Sequence, residues 1–282
     1  MGLRRDRMLF PGGKKKALTF SYDDAVTQDV RLLEMMNRHQ VKGTFNINTG
    51  CLGRQDMHTQ AGKTVTHYKL HPEEIAGTYE GHELAVHGLT HLDLALVPAG
   101  TAAYEVSADR RNIEDITKAP VRGMAYPFGT YTEETLDVLK ACGIVYSRTV
   151  RSAGKFDLPE DFLQWHPTCH HGDQHLMELA QQFVEGESAY GEPMLFYVWG
   201  HSYEFDVTDG WDSMEAFLEY VAGHEEIWYA TNMEIYDYIT AFERLVYTAD
   251  GSCVYNPSAQ TVWLSVDGKA YEIGAGCRAV IS

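Results

Sequence analysis

The sequence has 282 residues, and 23 basic against 40 acidic residues give it a formal charge of −17. This length and the 44% content of hydrophobic residues are typical of one large or two small globular domains and exclude a disordered chain. The acidic excess argues against nucleic acid as a partner, and no apolar run reaches the about 18–20 residues of a membrane-spanning helix. The first ten residues lack the apolar segment of a secretory signal, and the five cysteines form no CxxC pair, so thiols in a reducing cytoplasm are expected.

Up to residue 244, β-rich runs alternate with helical patterns. Apolar runs predict strands at 17–22, 41–48, 83–87, 124–128, 144–150, 194–201 and 227–230. Apolar residues at helical spacing predict helices at 26–39, 102–116, 132–142, 174–185 and 213–221. Residues 51–80 show weak periodicity and predict a long loop with a short helix near Pro72. Strands that alternate with helices indicate a parallel sheet, and about seven such units favour a barrel over an open sheet.

Residues 245–282 have a different pattern. Short alternating strands are predicted at 254–255, 262–266 and 269–273, and turn pairs such as Asp250-Gly251 and Asp267-Gly268 interrupt them. Asp-Gly pairs are typical of β-hairpins. We therefore predict a barrel domain over residues 1–244 and a small β appendage over 245–282 that packs on it.

Polar residues follow three of the predicted strands at the point where each strand ends. They are Asp23-Asp24, the pair His87 and His91, and His201. In parallel βα architectures the reactive groups lie at the carboxyl ends of the strands, where the loops converge. These side chains are therefore the first candidates for a functional site.

Two histidines and one carboxylate form a metal-ligand set that leaves positions open for water. His87 and His91 are four residues apart and lie on one side of a helical turn, and a single acid completes the set. The second acid is then free to act as a general base, since an ordinary aspartate has a pKa of about 3.9 and is ionised at neutral pH. His201 lies on another strand and can protonate a leaving group. Together these residues predict hydrolysis.

Each of these features also has an ordinary structural explanation. HxxxH pairs are common in a chain with 13 histidines, Asp-Asp at a strand end more often caps a helix, and a single histidine is more often a buried hydrogen-bonding side chain. Their joint occurrence at successive strand ends favours the functional interpretation. The run Cys169-His170-His171 is interpreted as a loop lining the cleft, because three side chains on one short loop do not easily point at one ion.

Four ordered motifs, TFSYDD, HGLTH, AYPFGTY and VWGHS, resemble those of the polysaccharide deacetylase superfamily, the chitooligosaccharide deacetylase homology domain of carbohydrate esterase family four. The resemblance extends over about residues 17–240. It implies an α/β fold, a distorted (β/α) barrel of seven or eight strands, with a bound divalent metal ion. It also implies removal of acyl groups from N-acetylated sugars.

Position by position, the resemblance implies a role for six residues. Asp23 resembles the catalytic base and His201 the general acid, whereas the metal ligands are Asp24, His87 and His91. Phe128 stands where the family has an aromatic residue whose backbone N–H stabilises the oxyanion.

The third motif departs from the family pattern. Where the family has an arginine that orients the base, this chain has Ala125. Arg122 and Arg148 are the candidate replacements, and Arg148 is preferred. The tryptophan-bearing fourth motif is not clearly present, and Trp165 is the candidate for lining the pocket.

The predicted function is metal-dependent removal of an acyl group, expected to be N-acetyl, from a carbohydrate. Zinc is the expected ion, with cobalt, nickel or manganese also compatible with these ligands. The expected partner is a small-molecule or oligosaccharide substrate, without nucleic acid or membrane; the oligomeric state stays open.

Three alternatives remain at this stage. A cyclic amide or ureide hydrolase of the same fold would use the same groups. An iron oxygenase would share the ligand set, although such enzymes usually have antiparallel double-sheet folds. A non-catalytic sugar-binding protein would have no need of Asp23.

Overall fold

The computed structural model describes residues 5–188 and 191–281. Its strands, in chain order, are β1 Met8–Leu9, β2 Lys16–Asp23, β3 Thr44–Ile47, β4 Gln55–Gln60, β5 Lys63–Tyr68, β6 Glu83–Val86, β7 Gly123–Ala125, β8 Tyr146–Arg148, β9 Cys169–His170, β10 Met194–Gly200, β11 Ile227–Tyr229, β12 Val246–Tyr247, β13 Cys253–Tyr255, β14 Val262–Val266, β15 Lys269–Ile273 and β16 Arg278–Val280. The helices are α1 Asp29–Arg38, α2 Pro72–Thr78, α3 Ala99–Thr117, α4 Glu133–Ala141, α5 Leu176–Glu185, α6 Glu204–Thr208, α7 Trp211–Val221 and α8 Asn232–Glu243.

The central element of the fold is a curled parallel sheet. Its strands lie in the order β8-β7-β6-β3-β2-β10-β9, and β11 pairs with the first half of β2. Every pairing within this sheet is parallel. The predicted α/β fold, a distorted barrel of seven or eight strands, is confirmed in this half-barrel form.

One irregular segment spans the gap between the two edges of the sheet. Trp165 forms a parallel bridge to Arg148 at the end of β8, and β9, four residues further on, pairs with β10. The Trp165 backbone N–H donates to the Ser147 carbonyl oxygen at 3.0 Å. The short segment from Trp165 to β9 therefore links the sheet edges and brings β8 and β10 to the same side of the molecule.

The N-terminus of α8 meets the amino ends of the sheet strands. The Met233 backbone N–H donates to Glu83 Oε2 at 2.9 Å, and the hydroxyl of Tyr146 donates to Glu83 Oε1 at 2.6 Å. Thr19 on β2 donates to the Asn232 side chain at 2.9 Å. The buried hydroxyl of Thr19 is thus paired inside the fold. Because side chains alternate along a strand, Asp23 faces the same side of β2 as Thr19 and is the last residue of β2 on that side.

The last residues of the chain form two small antiparallel sheets. β14 and β15 join with β1 in one, and β12, β13 and β16 form the other. Asp267 and Gly268, both with positive φ, form the two-residue turn between β14 and β15 that the Asp-Gly pair predicted. Met8 belongs to the same buried cluster as Leu264 and Ile273. The domain boundary at residue 244 stays a prediction, and the amino-terminal strand pairs with the proposed appendage.

Most predicted elements match the structure to within a few residues, but helix α8 was not predicted and two predicted segments differ. The loop expected within residues 51–80 is wrong over 55–68, where β4 and β5 form an antiparallel hairpin, although α2 begins at Pro72 as expected. The strand expected at 124–128 ends at Ala125, and Pro127–Gly129 form a 3-10 turn. Among the helices of the described residues, none is long and apolar enough to cross a bilayer.

Candidate active site

The side chains predicted at the strand ends meet at the carboxyl edge of the parallel sheet. Asp23 ends β2, His87 follows β6 and His201 follows β10. They border a cavity of about 470 Å³. Its lining residues are Asp23, Asp24, His87, His91, Tyr126, Phe128, Val150, Trp199, His201 and Tyr203.

Asp23 is held by an arginine and an amide. Arg148 Nη2 lies 2.5 Å from Asp23 Oδ2, and Asn46 Nδ2 donates to Asp23 Oδ1 at 2.8 Å. The guanidinium of Arg148 also stacks over the Trp199 ring at 4.5 Å. Burial opposes ionisation of Asp23, but the charge of Arg148, followed by that of His201, outweighs it and lowers the pKa of Asp23. Asp23 is therefore an oriented carboxylate at neutral pH.

Asp24, His87 and His91 come together as a possible metal site, with ligand atoms that all lie within 4.8 Å of one another. Nδ1 of His87 lies 2.9 Å from the Ala125 carbonyl oxygen, so this nitrogen carries the proton and Nε2 keeps its lone pair. Burial lowers the pKa of His87 to about 4 and also lowers the pKa of His91. Two neutral imidazoles and one carboxylate match the donors that divalent transition metals prefer. These residues therefore fit the predicted ion.

One side chain on β5 and one directly after it contact Asp24, and the sequence analysis missed both. Lys69 Nζ lies 2.9 Å from Asp24 Oδ1, and His67 Nε2 lies 3.5 Å from Oδ2. Burial opposes ionisation of Asp24, but the Lys69 ammonium and the His67 hydrogen bond hold its pKa well below the usual range. Asp24 is thus ionised and already has cationic and polar neighbours on both oxygens.

His201 faces Asp23 with one ring nitrogen and Glu204 with the other. Its Nε2 lies 3.7 Å from Asp23 Oδ2, and its Nδ1 lies 3.5 Å from Glu204 Oε2. Burial opposes protonation of His201, but the Glu204 carboxylate, followed by Asp23 and Asp24, raises its pKa to about 9. The imidazolium form, which can donate a proton, therefore dominates at neutral pH.

Glu204 was missed by the sequence analysis, and two histidines hold it in place. Nε2 of His170 and Nε2 of His171 lie 3.0 and 3.3 Å from Glu204 Oε2. Burial opposes ionisation of Glu204, but His170 and His201 keep its pKa well below the usual range. The ring of His171 stacks between Tyr22 and Phe205, and it occupies the space beside Gly200, where a Cβ would lie 2.0 Å from its Nδ1.

The 3-10 turn at Pro127–Gly129 positions Phe128 at the mouth of the cavity. Phe128 has a φ of 60° and is 60% exposed, and its ring packs edge-on against His91 at 4.7 Å. Gly129 follows with a φ of 73°, and a Cβ there would lie 2.3 Å from Val150. Asp24 and His91 also have positive φ. Such strained backbone positions cluster at functional sites.

Two of the residues considered in the sequence analysis lie away from the cavity. Arg122 pairs with Asp237 at 2.8 Å, so of the two candidate arginines it is Arg148 that reaches Asp23. Trp165 is 1% exposed, packs between Tyr146 and Tyr197, and does not line this cavity. The expectation that it lines the pocket is wrong.

The fold and these side chains together form a cavity at the carboxyl edge of the sheet, with a candidate metal centre on one side. Residues 11–147 match the model of the polysaccharide deacetylase family. This part of the chain contains Asp23, Asp24, His87, His91 and Phe128, and the match confirms the resemblance seen in the motifs. The same match supports the predicted enzyme class, a hydrolase of carbon–nitrogen bonds of the polysaccharide deacetylase type. No curated protein matches the chain.

Solved structures share the fold at low sequence identity. A Mycobacterium smegmatis protein described as a candidate polysaccharide deacetylase is 17% identical, with a TM-score of 0.59 over 83% of this chain and 93% of that one. A family-four pseudoenzyme from Bacillus anthracis is 18% identical, with a TM-score of 0.48 over 78% of this chain and 65% of that one. A Streptococcus pyogenes deacetylase solved with acetate is 18% identical, with a TM-score of 0.40 over 47% of this chain and 55% of that one. The chain thus spans about half the length of the streptococcal protein.

Proposed function

We propose that this protein is a metal-dependent deacylase that removes an acyl group, expected to be N-acetyl, from a carbohydrate. The observation that carries the proposal is the position of Asp23. Its Oδ2 lies 3.7 Å from Nε2 of His87, on the side of the candidate metal ligands, and 3.7 Å from Nε2 of His201 on the other side. A single carboxylate is therefore placed between a ligand set and a proton donor.

Asp24, His87 and His91 would hold the divalent cation, for which we propose zinc. When bound, the cation supplies Lewis-acid polarisation of the scissile carbonyl and lowers the pKa of water. The proposed role of Asp23 is to accept the proton of the attacking water at Oδ2. Because Arg148 and Asn46 fix its carboxylate, Asp23 is oriented for this transfer before substrate binds.

His201 is the proposed general acid. An amide nitrogen is a poor leaving group until it is protonated, and a histidine with a pKa raised to about 9 carries the required proton at neutral pH. The backbone N–H of Phe128 is the proposed donor to the oxyanion, since its turn lies at the cavity beside His91.

Aromatic surfaces around the cavity support a sugar as substrate. Phe128 is largely exposed, and Trp199 and Tyr203 contribute to the same lining. Aromatic rings offer the apolar faces against which a sugar ring can pack. All five cysteines are free thiols, which agrees with the proposed cytoplasmic compartment.

The test of the base is Asp23→Asn, with Asp137→Asn on the exposed surface of α4 as its control. Asp23→Asn should lower kcat for an N-acetylated chitooligosaccharide by about 10³-fold, because it removes the proton acceptor. Elemental analysis should show unchanged metal content, and Asp137→Asn should behave as wild type. Full activity of Asp23→Asn would refute the assigned role.

The test of the reaction class combines metal content with a substrate screen. Purified protein should contain a divalent metal, and chelation should abolish acetate release from N-acetylated sugars until the metal is restored. Hydrolysis of cyclic ureides without release of acetate would replace the proposed substrate class. Sugar binding without turnover by metal-loaded protein would replace the enzyme by a binding protein.

A further inference from the structure

The hairpin β4–β5 presents a lysine to the candidate metal centre. Lys69 directly follows β5, and its backbone forms an antiparallel bridge with Val26. On either side of this bridge, Thr27 N–H donates to the Tyr68 carbonyl at 2.8 Å and Leu70 N–H donates to the Ala25 carbonyl at 2.9 Å. The backbone of Lys69 is therefore fixed next to the segment that carries Asp24.

The Lys69 side chain is committed to Asp24. Its ammonium lies 2.9 Å from Oδ1 and donates to the backbone carbonyl oxygen of the same residue at 2.7 Å. Lys69 is only 7% exposed, so water screens this pair weakly. His67 stands 3.5 Å from the other carboxylate oxygen. Both oxygens that a metal ion would use thus already have partners from the hairpin.

We infer that Lys69 is a built-in cation that weakens metal binding at Asp24 and makes the metal exchangeable. The inference rests on the proposed metal site. A divalent ion that binds Asp24 must either share this carboxylate with the ammonium or displace it. Sharing places like charges close together in a buried site, and displacement leaves a buried ammonium without its partner.

The ion pair between Lys69 and Asp24 also holds the Asp24 carboxylate in place before any metal binds. A buried carboxylate without a cation is costly, and the Lys69 ammonium offsets that cost. Asp24 keeps its ionised form and its orientation toward His87 and His91. The Lys69 ammonium that preorganises the site also competes with a metal ion for Asp24, which carries the only negative charge among Asp24, His87 and His91.

The experiment is calorimetric titration of metal-stripped protein with Zn²⁺ alone, in wild type, Lys69→Met and Lys69→Arg. Lys69→Met should lower the Kd for Zn²⁺ by about tenfold or more, because the competing charge is gone. Release of bound Zn²⁺ to a chelator should slow accordingly. Lys69→Arg keeps the charge and should stay within about threefold of wild type.

Lys63→Met is the matched control for charge. Lys63 lies on the same hairpin, but its ammonium pairs with Asp209 on the surface, 2.7 Å away. The Zn²⁺ affinity of the Lys63→Met variant should equal that of wild type. Circular dichroism checks the fold of each variant, and Lys69→Gln replaces Lys69→Met if the latter unfolds.

The outcomes separate this inference from the proposed function. Zn²⁺ binding by the folded neutral Lys69 variant that is equal to or weaker than in wild type overturns the inference and leaves the metal site intact. Tighter binding by Lys63→Met as well would assign the effect to general charge and also overturn it. Absence of Zn²⁺ binding in every variant overturns the metal site and this inference together.

Discussion

Two clusters at the same edge of the sheet have the same composition but different chemistry. Asp24, His87 and His91 form one, and His170, His171 and Glu204 form the other; each brings two histidines and a carboxylate within 4.8 Å. Composition and distance alone would assign a metal to both.

The backbone partner of one histidine distinguishes the clusters. Nδ1 of His87 donates to a carbonyl oxygen, so Nε2 is free to bind a cation. Nδ1 of His170 instead accepts from the Gly172 backbone N–H at 3.0 Å, so its Nε2 carries the proton and donates it to Glu204. The first cluster is suited to a metal ion, whereas the second is a hydrogen-bonded support for Glu204, next to His201.

The largest expected difference concerns metal content. His87→Ala removes a proposed ligand and should reduce bound metal to background, with loss of activity. His170→Ala should retain the full metal content of wild type. Elemental analysis of both variants measures this difference, and an equal loss of metal from both would show that the second cluster also binds the ion.

Arg148→Gln should lower kcat by about 10²-fold at neutral pH, because Asp23 loses its orienting partner. Arg148 lowers the pKa of Asp23, so its removal raises that pKa. A base must be deprotonated, and the acid limb of the pH–rate profile should therefore move to higher pH. Arg122→Gln, which removes an arginine paired at the surface, is the control. An unmoved acid limb in Arg148→Gln would assign that limb to another group.

A smaller effect is expected for Glu204→Gln. The Glu204 carboxylate helps to raise the pKa of His201 to about 9, and an acid is active only below its pKa. The alkaline limb of the profile should thus move from near pH 9 toward the ordinary histidine value of 6.5. Activity at pH 6 should fall by only about threefold, and bound metal should not change. Loss of metal in this variant would contradict the division between the clusters.

The sequence alone placed Asp23, Asp24, His87 and His201 in one site because each follows an apolar strand, and parallel strands end at a common edge. It favoured Arg148 over Arg122 for the same reason, since Arg148 ends a strand. The resemblance of the motifs supplied the roles, which the geometry alone does not assign.

Other parts of the site lacked such a signal. Lys69 lies beyond a hairpin whose strand β4 is exposed along nearly its whole length, so no period-2 alternation marked it. Glu204 is held by His170 and His171, which lie more than thirty residues earlier in the chain. The pairing of β9 with β10 brings these three residues together. The pairing of His170 with Gly172 depends on a ring nitrogen, which no residue pattern reveals.

Gly200 leaves the space in which the His171 ring packs, and that ring contacts Glu204, whose carboxylate raises the pKa of His201. Because no side chain occupies that position, the ring of His171 can lie against the end of β10 and reach Glu204, whose carboxylate faces His201. A single methyl group there would compete with the imidazole for room. A side chain at position 200 would therefore disturb Glu204 and, through it, the pKa of His201, the proposed general acid.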